Sequence, residues 1–125
     1  MHPPYVSLYE SGLLKKLADR AARLLENCTL CPRSCKKNRL NNQTGACQTG
    51  RYSKVASFSP HFGEERPLVG NHGSGTIFFS SCNLMCSFCQ NYDISHYCEG
   101  LEVSAKQLAS IMISLQQEGC HNINL

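Results

Sequence analysis

The sequence predicts an α/β fold in which a helix and a cysteine-rich metal-binding module precede a strand, loop, helix, strand unit. Three observations predict it. An apolar stripe at helical spacing runs from Leu13 to Leu25, and seven of the nine cysteines fall in two groups. A β-branched and aromatic run leads into the second group, and another helical stripe and a short alternating segment follow it.

In chain order, Ser7 followed by Glu10 has the form of a capping box, and Leu13, Leu14, Leu17, Ala18, Ala21, Leu24 and Leu25 recur at helical spacing. One amphipathic helix is expected over residues 8–26, with Lys15, Lys16, Asp19, Arg20 and Arg23 on a solvated face. Residues 27–50 have no periodicity, and with Pro32 and Gly45 they read as a loop ordered by metal ligation. The first unit is therefore residues 1–50, a helix plus a four-cysteine module.

Residues 51–75 read as an irregular connection or hairpin, with a short strand over 54–58 and turn residues over 61–75. The run His61-Phe62-Gly63-Glu64-Glu65-Arg66-Pro67 reads as a charged turn, and its alternative role is to bring Glu64 or Glu65 to a metal pocket. The third unit is residues 76–125. Thr76 to Ser80 (TIFFS) is a buried strand, and Ser104 with Gln107 caps a helix whose stripe is Ala105, Leu108, Ile111, Met112 and Leu115. Gly119 ends that helix, and residues 122–125 open a second strand. A βαβ unit implies a parallel sheet. A single crossover leaves such a sheet incomplete, so the expectation is the front part of a longer α/β protein.

Composition bounds the function. Twelve Lys and Arg against nine Asp and Glu leave a net charge of +3 over 125 residues. Residues 1–54 hold ten bases and three acids, whereas residues 55–125 hold two bases and six acids. A pI of 8.4 is too mild to argue for nucleic acid. No apolar run reaches membrane-span length and no signal peptide opens the chain, so a soluble cytoplasmic protein without a membrane partner is expected. An odd cysteine count in a reducing compartment argues for metal ligation over disulfides.

The strongest motif is Cys82-x3-Cys86-x2-Cys89 on the loop that leaves the TIFFS strand. A protein-held iron–sulfur cube uses four thiolates, so three close cysteines leave one iron open to a ligand. The residues also allow a zinc site completed by His96 or Cys98, or plain buried thiols. The second constellation is Cys28-x2-Cys31-Pro32-Arg33-Ser34-Cys35, with Cys47 after eleven residues. Four soft thiolates suit zinc, a rubredoxin-like iron or a second iron–sulfur centre. Arg33, Lys36, Lys37 and Arg39 are placed to offset its negative charge. Cys98 and Cys120 read as unliganded apolar side chains.

The run from Gly73 to Tyr92 (GSGTIFFSSCNLMCSFCQNY), together with the Cys-x2-Cys-Pro-Arg-x-Cys block, resembles radical S-adenosylmethionine enzymes. Within them it is most similar to the subgroup related to pyruvate formate-lyase activating enzymes. The resemblance implies the N-terminal part of a (β/α) partial barrel. It implies that Cys82, Cys86 and Cys89 hold a 4Fe–4S cluster whose fourth iron binds S-adenosylmethionine, and that Phe88 lies by the adenine. It also implies reductive cleavage to a 5′-deoxyadenosyl radical, a reductant such as flavodoxin or ferredoxin, and a glycyl radical enzyme as protein substrate. The residues themselves leave a second class open, a noncatalytic iron–sulfur electron-transfer or structural metal protein.

Overall fold

The structure, a computed structural model, describes residues 2–125. The N-terminal segment forms two helices, α1 (Pro4–Glu10) and α2 (Leu13–Arg23), with the apolar stripe on the second, and this corrects the single helix expected over 8–26. Gly12 stands between them in the left-handed region at φ 70°, where it closes α1 and opens α2. The Ser7–Glu10 capping box does not form. Pro4 starts the helix earlier, so Ser7 lies inside it and its hydroxyl donates to the Pro4 carbonyl at 2.9 Å. Lys15 and Asp19 pair at 3.1 Å on an exposed face, which agrees with the solvated-face reading.

The segment expected to be irregular from 27 to 50 contains a 3-10 turn, Arg39–Asn41. Asn38 holds it from both sides. Its side-chain oxygen accepts from the Asn41 N–H at 3.2 Å, and its own N–H donates to the Gln43 side chain at 3.0 Å. Polar side chains thus supply part of the order that the sequence assigned to metal alone.

A long strand, β1 (Ser53–His61), follows. The short helix α3 (Arg66–Val69) sits in the connection to β2 (Ser74–Phe79), and β1 and β2 pair antiparallel from Val55 opposite Phe79 to His61 opposite Ser74. The cysteine loop leaves β2 and enters α4 (Tyr92–Ser95), a helical turn absent from the sequence reading.

Next comes an unexpected strand, β3 (Leu101–Val103), which pairs antiparallel with the start of β1. Three residues are too few to show a period of two. What admits the strand is a backbone approach: Gly100 has φ 143°, and a Cβ there would lie 2.7 Å from the Val55 carbonyl oxygen.

The helix α5 (Ala105–Gln117) carries the capping box that the sequence predicts, with Ser104 and Gln107 bonding each other's backbone N–H groups. It ends as predicted on Gly119, at φ 101°. The Gly119 N–H donates to the Gln116 carbonyl and the Cys120 N–H to the Leu115 carbonyl, the paired bonds of a Schellman motif. The chain then runs through β4 (Ile123–Asn124), parallel to β2.

The sheet order is β3-β1-β2-β4, one parallel pair joined to an antiparallel set. The all-parallel sheet implied by a bare βαβ unit is therefore corrected to a mixed, open one. The crossover from β2 to β4 is present, with β3 inserted along its path. The core is where α5 covers the sheet: Val55, Ile77, Leu115 and Cys120 are buried together, flanked by Phe79, Val103, Leu108, Ile111 and Met112. Cys120 packs as a small apolar side chain, as expected. Among the described residues none in α1 or α2 is buried, so the core belongs to the sheet and α5. No helix among the described residues is long and apolar enough to cross a membrane.

Leu115 is 0% exposed at the centre of this core. Leu115→Ala should lower unfolding stability by about 2–5 kcal/mol, read as a lower denaturant midpoint, because little around it can collapse into the void.

Candidate metal centre

Both cysteine groups lie at the end of the sheet where β2 gives out. Phe79 is the last residue of β2, and the next two residues anchor the exit. The Ser80 N–H donates to the Lys54 carbonyl at 3.0 Å, its hydroxyl bonds the Glu99 carbonyl, and the Ser81 N–H donates to the Ile94 carbonyl at 2.7 Å. The loop from Cys82 to Cys89 is therefore tied at its base to β1, to the segment before β3 and to α4.

Inside the loop the backbone turns toward its own sulfurs. The Leu84 N–H reaches Cys82 Sγ at 3.4 Å. The N–H groups of Met85 and Leu84 hold the Cys82 thiol below its ordinary pKa, against the opposing effect of burial. Cys89 Sγ accepts from the Ser95 hydroxyl at 3.3 Å. Cys28, 5% exposed, is likewise lowered. The Leu30 N–H contributes most, Arg39 and Cys35 add to it, and burial opposes it. One thiol from each group is thus biased toward the thiolate, the form that binds metal.

The N-terminal cysteines are drawn together by their backbone. The Cys28 N–H donates to the Lys37 carbonyl at 3.1 Å, and the Cys28 carbonyl accepts from the Lys36 N–H at 3.0 Å. Arg39 donates through Nε to the Gly50 carbonyl at 3.0 Å, with its guanidinium 3.9 Å from Cys28 Sγ. This is the charge-offset position expected for Arg39. Gly45 is needed for a close approach, because a Cβ there would lie 2.9 Å from Cys35 Sγ.

Backbone strain gathers at these cysteines. Seven non-glycine residues among those described have positive φ, and five of them adjoin a candidate ligand: Ser34, Lys36, Gln48, Ser81 and Met85. Each costs about 1–2 kcal/mol, so the loops hold shapes that local propensity opposes.

The two groups meet. Arg33 in the Cys-Pro-Arg block donates through Nε to the Asn83 carbonyl at 2.6 Å, joining it to the Cys82 loop across fifty residues of sequence. A cavity of about 280 Å³ is lined by Cys28, Cys31, Cys35, Cys47 and Cys82. A second, of about 490 Å³, lies along β2 and the end of β4 and is lined in part by Phe79, Ser81, Cys82, Cys89, Ser95 and Asn124. Cys82 and Ser81 belong to both. The Ser81 hydroxyl is buried with no hydrogen-bond partner among the described residues.

Among the described residues no three His, Cys, Asp or Glu side chains converge on one ion-sized point. Six of the seven grouped thiols, those at 28, 31, 35, 47, 82 and 89, instead line the two cavities. Cys86 and Phe88 line neither of the two, and Phe88 is 89% exposed, so its ring is packed against nothing that would mark an adenine site. Glu64 and Glu65 also line neither, which corrects the alternative that brought one of them to a metal pocket: Glu65 precedes α3 as its N-cap. His96 and Cys98 have other engagements. His96 Nδ1 lies 2.7 Å from the Ser95 hydroxyl, and Cys98 is buried with its Sγ 3.6 Å from the His96 carbonyl.

The sequence reading missed Ser81, Ser95 and the Arg33–Asn83 tie. No pattern signals the two serines. The sequence shows the charge of Arg33, and its geometric role needs the fold.

No family model matches the chain, and no solved structure matches it. It is 41% identical over 84 residues to the uncharacterized protein MJ0674 of Methanocaldococcus jannaschii. The aligned stretch is 67% of this chain and 23% of that protein, so the chain spans about a quarter of its relative's length.

In metal-free protein, Cys82 should be alkylated by iodoacetamide with a labelling midpoint below the ordinary thiol value, because its thiolate is favoured in the folded state. In urea the midpoint should rise toward that value. Peptide mapping across a pH series checks this, and equal midpoints in both states would refute the loop N–H contacts.

Proposed function

We propose that this chain carries the cluster-binding segment of a radical S-adenosylmethionine enzyme, with Cys82, Cys86 and Cys89 holding a 4Fe–4S cluster. The observation that carries the reading is the three-cysteine loop at the exit of β2, beside a cavity that runs along two parallel strands. Ligands of α/β folds bind outside the carboxyl ends of parallel strands. A mononuclear ion needs its donors on one point, whereas a cube takes each thiolate on a different iron. Cys82 and Cys89 line one cavity, with Cys86 on the loop between them, and thiols spread in this way agree with the second arrangement. The donor set fits as well: soft thiolates, loop N–H groups and a serine hydroxyl aimed at sulfur, and the spare Ser81 hydroxyl in the wall.

When bound, the cluster supplies one electron to the sulfonium of S-adenosylmethionine, which splits into methionine and a 5′-deoxyadenosyl radical. The chain's own residues hold and orient. Ser80 fixes the loop to β1 and Ser81 fixes it to α4, the Met85 and Leu84 N–H groups favour the Cys82 thiolate, and Thr76 to Phe79 of β2 with Asn124 line the cavity beside it. Phe88, set beside the adenine by resemblance, has to move inward from its exposed position to serve there. The cysteines at 28, 31, 35 and 47, which line one cavity, would hold a second metal centre: zinc, a rubredoxin-like iron or an iron–sulfur centre. A flavodoxin or ferredoxin as reductant and a glycyl radical enzyme as target belong to the same proposal. They rest on resemblance.

The competing class, an electron-transfer or structural metal protein, needs a fourth donor to cap the open iron. The candidates the sequence offers are His96, whose Nδ1 faces the Ser95 hydroxyl while its Nε2 has no described partner, and Cys98, which is buried with its Sγ 3.6 Å from the His96 carbonyl.

Anaerobic reconstitution should give a brown protein, and alanine at Cys82, Cys86 or Cys89 should remove the iron and sulfide of that site while Cys98→Ala retains them. Full iron and sulfide in Cys86→Ala would refute the ligand set. Adding S-adenosylmethionine to the reduced protein should change the cluster's electron paramagnetic resonance spectrum, whereas a cluster capped by a side chain would leave it unchanged.

A further inference from the structure

Ser95 is buried at the end of α4, and its hydroxyl has three neighbours: Cys89 Sγ at 3.3 Å, the Tyr92 carbonyl at 3.3 Å and His96 Nδ1 at 2.7 Å. A hydroxyl has one proton to give and can accept from others. Given a thiolate at Cys89, the charged acceptor takes that proton in preference to the neutral carbonyl. His96 must then face the serine oxygen as a donor, through Nδ1–H.

The imidazole is held for this. Tyr92 stacks on it at 3.9 Å with planes 7° apart, and Tyr97 meets Tyr92 edge-on at 5.3 Å. The hydroxyl is thereby aimed from behind.

We infer that Ser95 is a positioning residue for the third cluster ligand. Its hydroxyl, oriented by His96, donates to the Cys89 thiolate and raises the reduction potential of the cluster. The inference rests on the cluster reading and adds to it a relay, His96 to Ser95 to Cys89, that uses side chains outside the three-cysteine motif. Hydrogen bonds to ligand sulfur stabilise the more negative, reduced cluster, and burial of the donor strengthens the effect.

The test is a redox titration of the reconstituted protein without S-adenosylmethionine, followed by electron paramagnetic resonance. Ser95→Ala should keep its iron and sulfide but reduce at lower potential, by about tenfold in the reduction equilibrium, which is about 59 mV for a one-electron couple. Ser95→Thr, which keeps the hydroxyl, should restore the potential. His96→Phe keeps a ring to stack on Tyr92 while freeing the hydroxyl to turn to the Tyr92 carbonyl, and should give a smaller shift of the same sign. A potential unmoved in Ser95→Ala would overturn the relay and leave the cluster reading intact. If Ser95→Ala fails to assemble, an unmoved potential in His96→Phe overturns the relay instead. A wild-type protein that binds no iron overturns both.

Discussion

The exit of β2 from the sheet is the constraint on which the rest of this structure depends. β2 is paired on both edges, antiparallel to β1 and parallel to β4, so its direction and its end are set by neighbours on two sides. The chain must leave at Ser80. There its backbone and side chain are bonded to Lys54 and Glu99, and one residue later to Ile94. A loop so anchored can hold left-handed residues at Ser81 and Met85 and still present thiols in a defined place.

The N-terminal cysteine group depends on the same exit. Its own elements bury little: α1 and α2 are exposed, and the 3-10 turn is held by asparagine and glutamine side chains. The described contact that reaches the other loop is Arg33 on the Asn83 carbonyl, a charge-assisted bond to a position inside the Cys82 loop. The thiols at 28, 31, 35 and 47 share one cavity with Cys82, so loss of order in either loop exposes the other.

Strain and burial divide the molecule. Stability comes from α5 on the sheet, where Ile77 and Leu115 are almost wholly enclosed. The cysteine loops lie outside that core and hold backbone conformations that cost energy, with hydrogen bonds to sulfur as the visible return. Such a division suits a site whose ligands need a prescribed placement more than they need packing.

Much of this was legible in the sequence because it is local. The helix α5 with its Ser104 cap and Gly119 stop, the TIFFS strand, the opening of β4 and the two cysteine groups each follow from spacing along the chain, and spacing is what a sequence displays. Gly12 is a helix-break signal in the sequence, but the Ser7–Glu10 pattern before it and the apolar stripe after it together read as one capped helix. What only the tertiary structure decided is what depends on distant backbone. β3 is three residues long and exists because β1 offers it hydrogen bonds. The sheet is mixed because β1 occupies the edge of β2 opposite β4. The two cysteine groups meet because Arg33 finds a carbonyl fifty positions away, and Ser95 reaches Cys89 because α4 folds back on the loop. Residue types and spacing named the thiols, and only the folded chain could say which hydroxyl, amide and guanidinium would stand beside them.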